Sequence, residues 1–123
     1  MVAQSSIRQG DIYWLNDCPP LHGDVAKRRP VVVVSPTPDA TLSELILVVA
    51  CTSTPLSSTT GLVELPSHEK TPQTRSGLHR RTWAVPQWWL PVERCRLMDR
   101  AGYITGSTLW RVVEAFVRAS GRP

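Results

Sequence analysis

Two short stretches of this chain carry residue types suited to phosphate chemistry. The first is Lys27-Arg28-Arg29-Pro30, which runs into Val31-Val32-Val33-Val34-Ser35. The second is the apolar run Ile46-Leu47-Val48-Val49-Ala50, which ends in Cys51-Thr52-Ser53. A guanidinium presents a fixed fork of donors that a carboxylate or phosphate fills, and neighbouring hydroxyls complete such a site. If the two runs pair as neighbouring strands, Arg29 at the mouth of one lies near Thr52 and Ser53 at the mouth of the other. That juxtaposition points to nucleic-acid phosphate chemistry. Each half taken alone is also ordinary: Arg-Pro is common in edge loops, and Thr-Ser after a strand is turn chemistry.

The elements that must hold these residues are short strands. Four consecutive valines after a proline suit a strand buried on both faces, because β-branched side chains lose little by being extended. A proline at the first strand position needs no ladder donor, so Pro30 marks the start of a strand over Val31–Ser35. A first strand is predicted over Asp11–Asn16, opened by Gly10, and a third over Glu44–Cys51, with Pro36-Thr37-Pro38-Asp39 as the turn before it. Gly61–Leu65 and Arg81–Val85 read as the fourth and fifth strands, with a short addition at Gly102-Tyr103-Ile104. Asp17 to Arg29, broken by Pro19, Pro20 and Gly23, is a long loop of the kind that often serves function. Pro66 to Gly77 is polar and reads as a mobile loop.

The C-terminal segment has helical periodicity. Leu109, Val112, Val113, Phe116 and Val117 form one apolar face, Thr105 or Ser107 can cap the start, and Gly121 sits where the helix should stop. Glu114 and Arg118 lie four apart on the outer side. Several strands followed by one packing helix imply a small, mainly β domain, spanning 1–123 as a single unit.

Composition narrows the class. The 123 residues are 41% hydrophobic and 20% charged, which suits one globular core rather than a disordered chain. The net charge of +4 permits an anionic partner without requiring one. Cys18, Cys51 and Cys95 are widely spaced and form no CxxC pair, so neither a zinc site nor a disulfide framework is indicated. Residues 1–10 have no apolar signal core, and no run approaches membrane-spanning length; the expectation is a reduced, cytoplasmic protein with no membrane association.

The order Gly10-Asp11-Ile12-Tyr13-Trp14, a proline-bearing loop, Arg29-Pro30-Val31-Val32-Val33-Val34-Ser35, then Val49-Ala50-Cys51-Thr52-Ser53 resembles the MazF/PemK family of toxin endoribonucleases. The likeness returns at Ser76-Gly77-Leu78, at Gln87 and in the helix after Gly102-Tyr103-Ile104-Thr105. It implies an SH3-like β-barrel of the MazF/PemK and CcdB-type toxin fold, with a C-terminal α-helix, assembled as a homodimer. It also implies sequence-specific cleavage of single-stranded RNA, such as mRNA, without a metal or other cofactor. In that reaction the substrate's 2′-hydroxyl attacks the adjacent phosphate, leaving a cyclic phosphate and a free 5′-hydroxyl. The partner implied is a cognate antitoxin, a short acidic MazE-like protein whose tail occupies the RNA groove.

Carried onto this chain, Arg29 matches the family's arginine before proline. It would neutralise charge on the phosphorane and could hand a proton to the leaving oxygen. Thr52 matches the hydroxyl that hydrogen-bonds the scissile phosphate, with Ser53 beside it. Arg28 competes for Arg29's role. Pro30 pins the Arg29 backbone in an extended conformation, which favours Arg29 as catalyst and Arg28 as an exposed phosphate contact. The chain departs from its relatives at Pro86-Gln87, where many members carry Asp-Gln, and proline cannot accept a proton. His22 is taken as the substitute base, with Asp24 as the acidic member of the same loop and His79 behind both. Asp24, Arg28, Gln87, Arg81 and Trp88 are assigned to RNA binding. In the tract Trp83-Ala84-Val85-Pro86-Gln87-Trp88-Trp89, stacking on RNA bases competes with burial in the core or an interface. Arg75, His79, Arg80 and Arg81 could follow an RNA backbone or form a solvated face.

Two rivals share the fold. A gyrase-poisoning toxin would need an apolar aromatic C-terminal tip, and this sequence ends Ala119-Ser120-Gly121-Arg122-Pro123. A catalytically weak member that binds only RNA or antitoxin is kept open by the missing aspartate.

Overall fold

The computed structural model describes residues 6–18, 27–54 and 61–121. Strands β1 (Asp11–Cys18), β2 (Lys27–Val33), β3 (Leu45–Thr52), β4 (Val63–Leu65), β5 (Thr82–Glu93) and β6 (Asp99–Tyr103) form one sheet in the order β4-β5-β3-β2-β1-β6. Every pairing is antiparallel. The sheet curls into a half-barrel, as the expected SH3-like architecture requires, covered by helix α2 (Gly106–Ser120). A short helix α1 (Thr37–Leu42) and a 3-10 turn (Arg94–Arg96) complete the elements.

Alternation along the strands divides the core in two. Tyr13, Leu15, Val31, Val33, Ile46, Val48 and Ala50 pack on one face with Val85, Trp88 and Val92. Ile12, Val32, Val34, Val49 and Cys51 pack on the other, against Val112 and Phe116 of α2. The valine run therefore is buried on both sides, as β-branched residues in a covered sheet permit. Each such fully buried side chain stabilises the fold by about 1.5–3 kcal/mol. Leu109, Val113 and Val117 complete the apolar face of α2. Gly121 closes that helix in the left-handed conformation at φ 72°, its N–H donating to the Val117 and Arg118 carbonyls. Thr105 occupies the N-cap position with no side-chain hydrogen bond, and the Glu114–Arg118 pair stands at 3.5 Å.

Four sequence expectations change. Strand β2 begins at Lys27, so Pro30 lies inside it, opposite Trp14 of β1. The β2–β3 ladder starts only at Val31, so Pro30 removes no donor from it. Strand β5 runs on to Glu93 through Pro86 and Pro91. Strand β4 pairs with residues 82–84 alone, which leaves later β5 residues with a ladder on one side only, where proline is tolerated. The turn after β2 is helix α1, whose C-terminal side is held by Arg94. That guanidinium donates to the Ser43 carbonyl at 3.0 Å and to the Ala40 carbonyl. The stretch 66–77, expected to be mobile, is braced: Ser76 Oγ donates to the Pro66 carbonyl at 2.7 Å, and the Thr71 N–H donates to the Ser67 carbonyl at 2.7 Å.

Candidate active site

The β2–β3 ladder ends at Val31 and Ala50. Beyond it, residues 27–30 and 51–54 line opposite sides of a cavity of about 430 Å³, whose remaining wall includes Leu78, His79, Arg80 and Thr82. Strand alternation explains which side chains arrive there. Arg29 lies on the same face as Val31 and Val33, and Thr52 on the same face as Val48 and Ala50, so both belong to the side of the sheet that carries Trp88.

Arg29 is only 4% exposed, and its guanidinium carbon stands 4.8 Å from the centroid of the Trp88 ring. A guanidinium lying over a buried indole gains cation–π attraction and has its plane fixed. Trp88 reaches this position because β5 shifts register at this point. Val49 pairs with Trp89 and Cys51 with Ala84, so residues 85–88 have only Ala50 opposite them. Proline at 86 interrupts the ladder and a bulge bends the strand.

Thr52 is buried, and its hydroxyl braces the turn that follows. Its Oγ1 accepts from the Thr54 N–H at 3.1 Å and donates to the Thr54 carbonyl at 3.2 Å, while Ser53 is exposed at the rim. Arg28 lies on the other face, over the Trp14 ring at 5.2 Å, donating to Asn16 Oδ1 at 2.6 Å and paired with Asp99. Cys51 lines the cavity as a protonated thiol, because burial pushes its ionisation far above the ordinary value. Burial likewise raises Cys18, with Arg29 acting in the opposite sense. No Asp or Glu is among the described residues lining this cavity. Among the described residues no cluster of histidine, cysteine or carboxylate side chains could hold a metal.

The structure thus gathers Arg28, Arg29, Thr52 and Ser53 at one cleft. It places other candidates elsewhere. Trp88 is 4% exposed, so its indole supports Arg29 from below rather than offering a free face to a base. Trp89 packs edge-on against Phe116 at 5.9 Å, and Trp83 lies under the Arg81 guanidinium at 5.1 Å. Arg81 is outside the cleft lining, held by Glu64 at 2.8 and 3.1 Å. The bond from Arg81 holds the Glu64 carboxyl below its ordinary range. Gln87 is exposed on β5, also outside the lining. His22 and Asp24 lie outside the described residues. Four lining side chains had no assigned part in the sequence reading: Trp14, Lys27, Thr54 and Thr82. Trp14 alone had a signal, since it stands in the Gly-Asp-Ile-Tyr-Trp string and pairs with Pro30 across the ladder.

A fold of this kind, with arginine and threonine brought to the open end of a β2–β3 ladder, defines a class of small β toxins, and comparison with known proteins agrees. Residues 8–119 match the profile of the PemK-like, MazF-like toxins of type II toxin-antitoxin systems. Endoribonuclease MazF6 of Mycobacterium tuberculosis is 31% identical over 106 residues, which cover 86% of this chain and 90% of the relative. Among solved structures, MazF from Deinococcus radiodurans superposes with a TM-score of 0.72 at 20% identity, covering 96% of this chain and 99% of the other. A mycobacterial endoribonuclease in complex with its cognate antitoxin gives 0.71 at 16% identity, covering 95% and 97%. The chain belongs to the PemK/MazF toxin family.

Proposed function

We propose that this chain is an endoribonuclease toxin that cleaves single-stranded RNA in the cleft between β2 and β3 and is neutralised by a cognate antitoxin. The observation that carries this reading is the meeting of Arg29, Thr52 and Ser53 in one cavity whose described lining holds cations and hydroxyls but no carboxylate. Such a lining suits an anionic phosphodiester.

The substrate's 2′-hydroxyl attacks the adjacent phosphorus. The O2′–P bond forms and the P–O5′ bond breaks, giving a cyclic phosphate and a 5′-hydroxyl whose final proton comes from water. Arg29, held flat on Trp88, stabilises the charge that grows on the non-bridging oxygens and hydrogen-bonds the leaving oxygen. Thr52 turns its hydroxyl proton from the Thr54 carbonyl to the phosphate, and Ser53 supplies a second hydroxyl. Arg28 contacts the flanking phosphate, with Gln87 and Arg81 as contacts further along the strand. None of these steps requires a metal.

The antitoxin is a short acidic protein, complementary to the net charge of +4 and to the cationic cleft. The toxin acts in the cytoplasm, where its RNA substrate resides, as a single-domain homodimer; no described helix is long and apolar enough to cross a membrane. Incubating the purified protein with a long RNA and sequencing the cut ends tests the reading. Discrete cuts with 5′-hydroxyl ends, insensitive to chelator and lost in Arg29→Ala by about 100- to 1,000-fold, are expected. Intact RNA at high protein concentration refutes it.

A further inference from the structure

We propose that His79 is the general base of this cleft, taking the proton of the attacking 2′-hydroxyl, and that His68 is a positioning residue that orients its ring. The inference rests on the ribonuclease reading and fills the role that Pro86 cannot.

The argument begins with what the cleft contains. Transfer of the 2′-hydroxyl proton needs a group with a free lone pair and an affinity for protons near neutrality. The described lining offers four cations, Lys27, Arg28, Arg29 and Arg80, which carry no lone pair to give. Its hydroxyls, at positions 52, 53, 54 and 82, are too weakly basic, and the Cys51 thiol is kept protonated by burial. His79 is the one imidazole among the described residues there, and an imidazole exchanges its proton in the required range.

The local structure holds that ring in place. Leu78, immediately before it, is 1% exposed; its carbonyl accepts from the His68 N–H at 2.7 Å and its N–H donates to Ser76 Oγ at 3.2 Å. On the other side, Thr82 Oγ1 donates to the Arg80 carbonyl at 2.9 Å, and the Arg81 N–H donates to Glu69 at 3.0 Å. The His79 ring is exposed, so RNA can reach it, and it packs at a tilt against His68 with centroids 5.4 Å apart and planes 30° from parallel. His68 Nδ1 lies 3.0 Å from the Pro72 carbonyl, which can only accept, so that nitrogen carries a proton and the ring is anchored. Among the described residues, the charged and titratable groups that line the cleft with His79 are Lys27, Arg28 and Arg29 from β2, Cys51 from β3 and Arg80 beside it, with His68 against its ring.

In the step proposed, an imidazole nitrogen of His79 takes the 2′-hydroxyl proton as O2′ bonds to phosphorus. The P–O5′ electron pair departs with O5′, water protonates that oxygen, and the imidazolium returns its proton to solvent. Cleavage of a short RNA is measured across pH for the wild type, His79→Gln, His79→Ala with and without added imidazole, and His22→Gln. For His79→Gln we expect kcat to fall about 100-fold or more with KM within about twofold, and the acid limb of the pH profile to disappear. Imidazole in the buffer should restore part of the His79→Ala rate. His68→Ala should slow the reaction and His68→Phe, which keeps a ring to pack against, should recover it. A His79→Gln enzyme at wild-type rate overturns the proposal. So does a loss that imidazole does not relieve and that leaves the acid limb in place, or an acid limb that vanishes in His22→Gln instead. A wild-type protein that leaves RNA intact removes the ribonuclease reading itself, and this inference with it.

Discussion

The stack of Arg29 on Trp88 makes a quantitative prediction. Both side chains are 4% exposed, and the guanidinium carbon sits 4.8 Å above the ring. A desolvated cation–π contact of this kind is worth about 2 kcal/mol. In the proposed cleavage its value is orientation, since the guanidinium fork would have to face the phosphate when the charge develops. If Trp88→Leu releases that plane and the full contact is lost from the transition state, 2 kcal/mol corresponds to a fall of about 30-fold in kcat/KM. Trp88→Phe keeps an aromatic face of smaller area and should retain most of the rate.

The same change opens space in the core, and the cost to folding must be separated from the cost to catalysis. Loss of a large buried aromatic costs up to about 3–5 kcal/mol when truncated to alanine, and leucine fills part of that volume. Activity is therefore compared at a temperature where melting curves and near-ultraviolet circular dichroism show each variant folded. A well-folded Trp88→Leu protein that cleaves within about threefold of wild type, or a Phe variant as slow as the Leu variant, refutes the orienting role.

Other consequences follow from neighbouring contacts. A Cβ on Gly102 would stand 2.1 Å from the Arg75 carbonyl oxygen and 2.5 Å from the Ser76 carbonyl carbon. Gly102→Ala should thus cost about 1–3 kcal/mol in chemical denaturation and loosen the 75–78 segment beside the cleft. The Glu64 carboxyl is held below its ordinary value of about 4.5 by Arg81, so its contribution is present above that value and fades as pH falls through the lower folded value. The gap in melting temperature between wild type and Glu64→Gln should accordingly be widest near neutrality and close below about pH 4.5; a gap that persists in acid contradicts this. Arg28→Gln removes the rim phosphate contact proposed for that side chain, so RNA affinity should weaken and its salt slope fall by about one, with KM affected more than kcat. Titrating labelled RNA at several salt concentrations measures it.

How far the sequence could be read depended on whether period and neighbours decided the matter. The valine run, the helix face from Leu109 to Val117 and the meeting of Arg29 with Thr52 are all consequences of alternation or helical spacing, and each is visible in the string. Two prolines misled the boundaries. Pro30 and Pro86 look like strand breakers, yet Pro30 pairs with β1 alone and Pro86 falls in the break of the β3–β5 ladder beyond the end of β4, circumstances set by pairing across the chain. Strand alternation sends Trp88 and Trp89 to opposite faces, but stacking against burial could not be decided from the string; Trp88 is buried against Arg29 and Trp89 is half-buried against Phe116. His79 ranks behind His22 and Asp24 in the sequence because nothing in the string brings it to the cleft. Its approach to the cleft depends on the hydrogen bonds that tie 66–72 to Leu78, and these join residues of no distinctive type.

The two prolines also connect the fold to the chemistry. Pro30 stands just outside the last pair of the β2–β3 ladder, so the strands separate beyond it and the cleft opens between them. Pro86 lies within the register shift that gives residues 85–88 only Ala50 as a partner, and that shift carries Trp88 beneath Arg29. The proline that stands where the resemblance implies a carboxylate is thus part of the bend that seats the arginine's platform. A carboxylate placed at this position by Pro86→Asp would add a proton acceptor and at the same time free the backbone that proline restrains within the register shift. Its effect on rate then depends on whether the bend survives, which is why an acceptor on a separately braced segment, at His79, is the simpler arrangement for this chain.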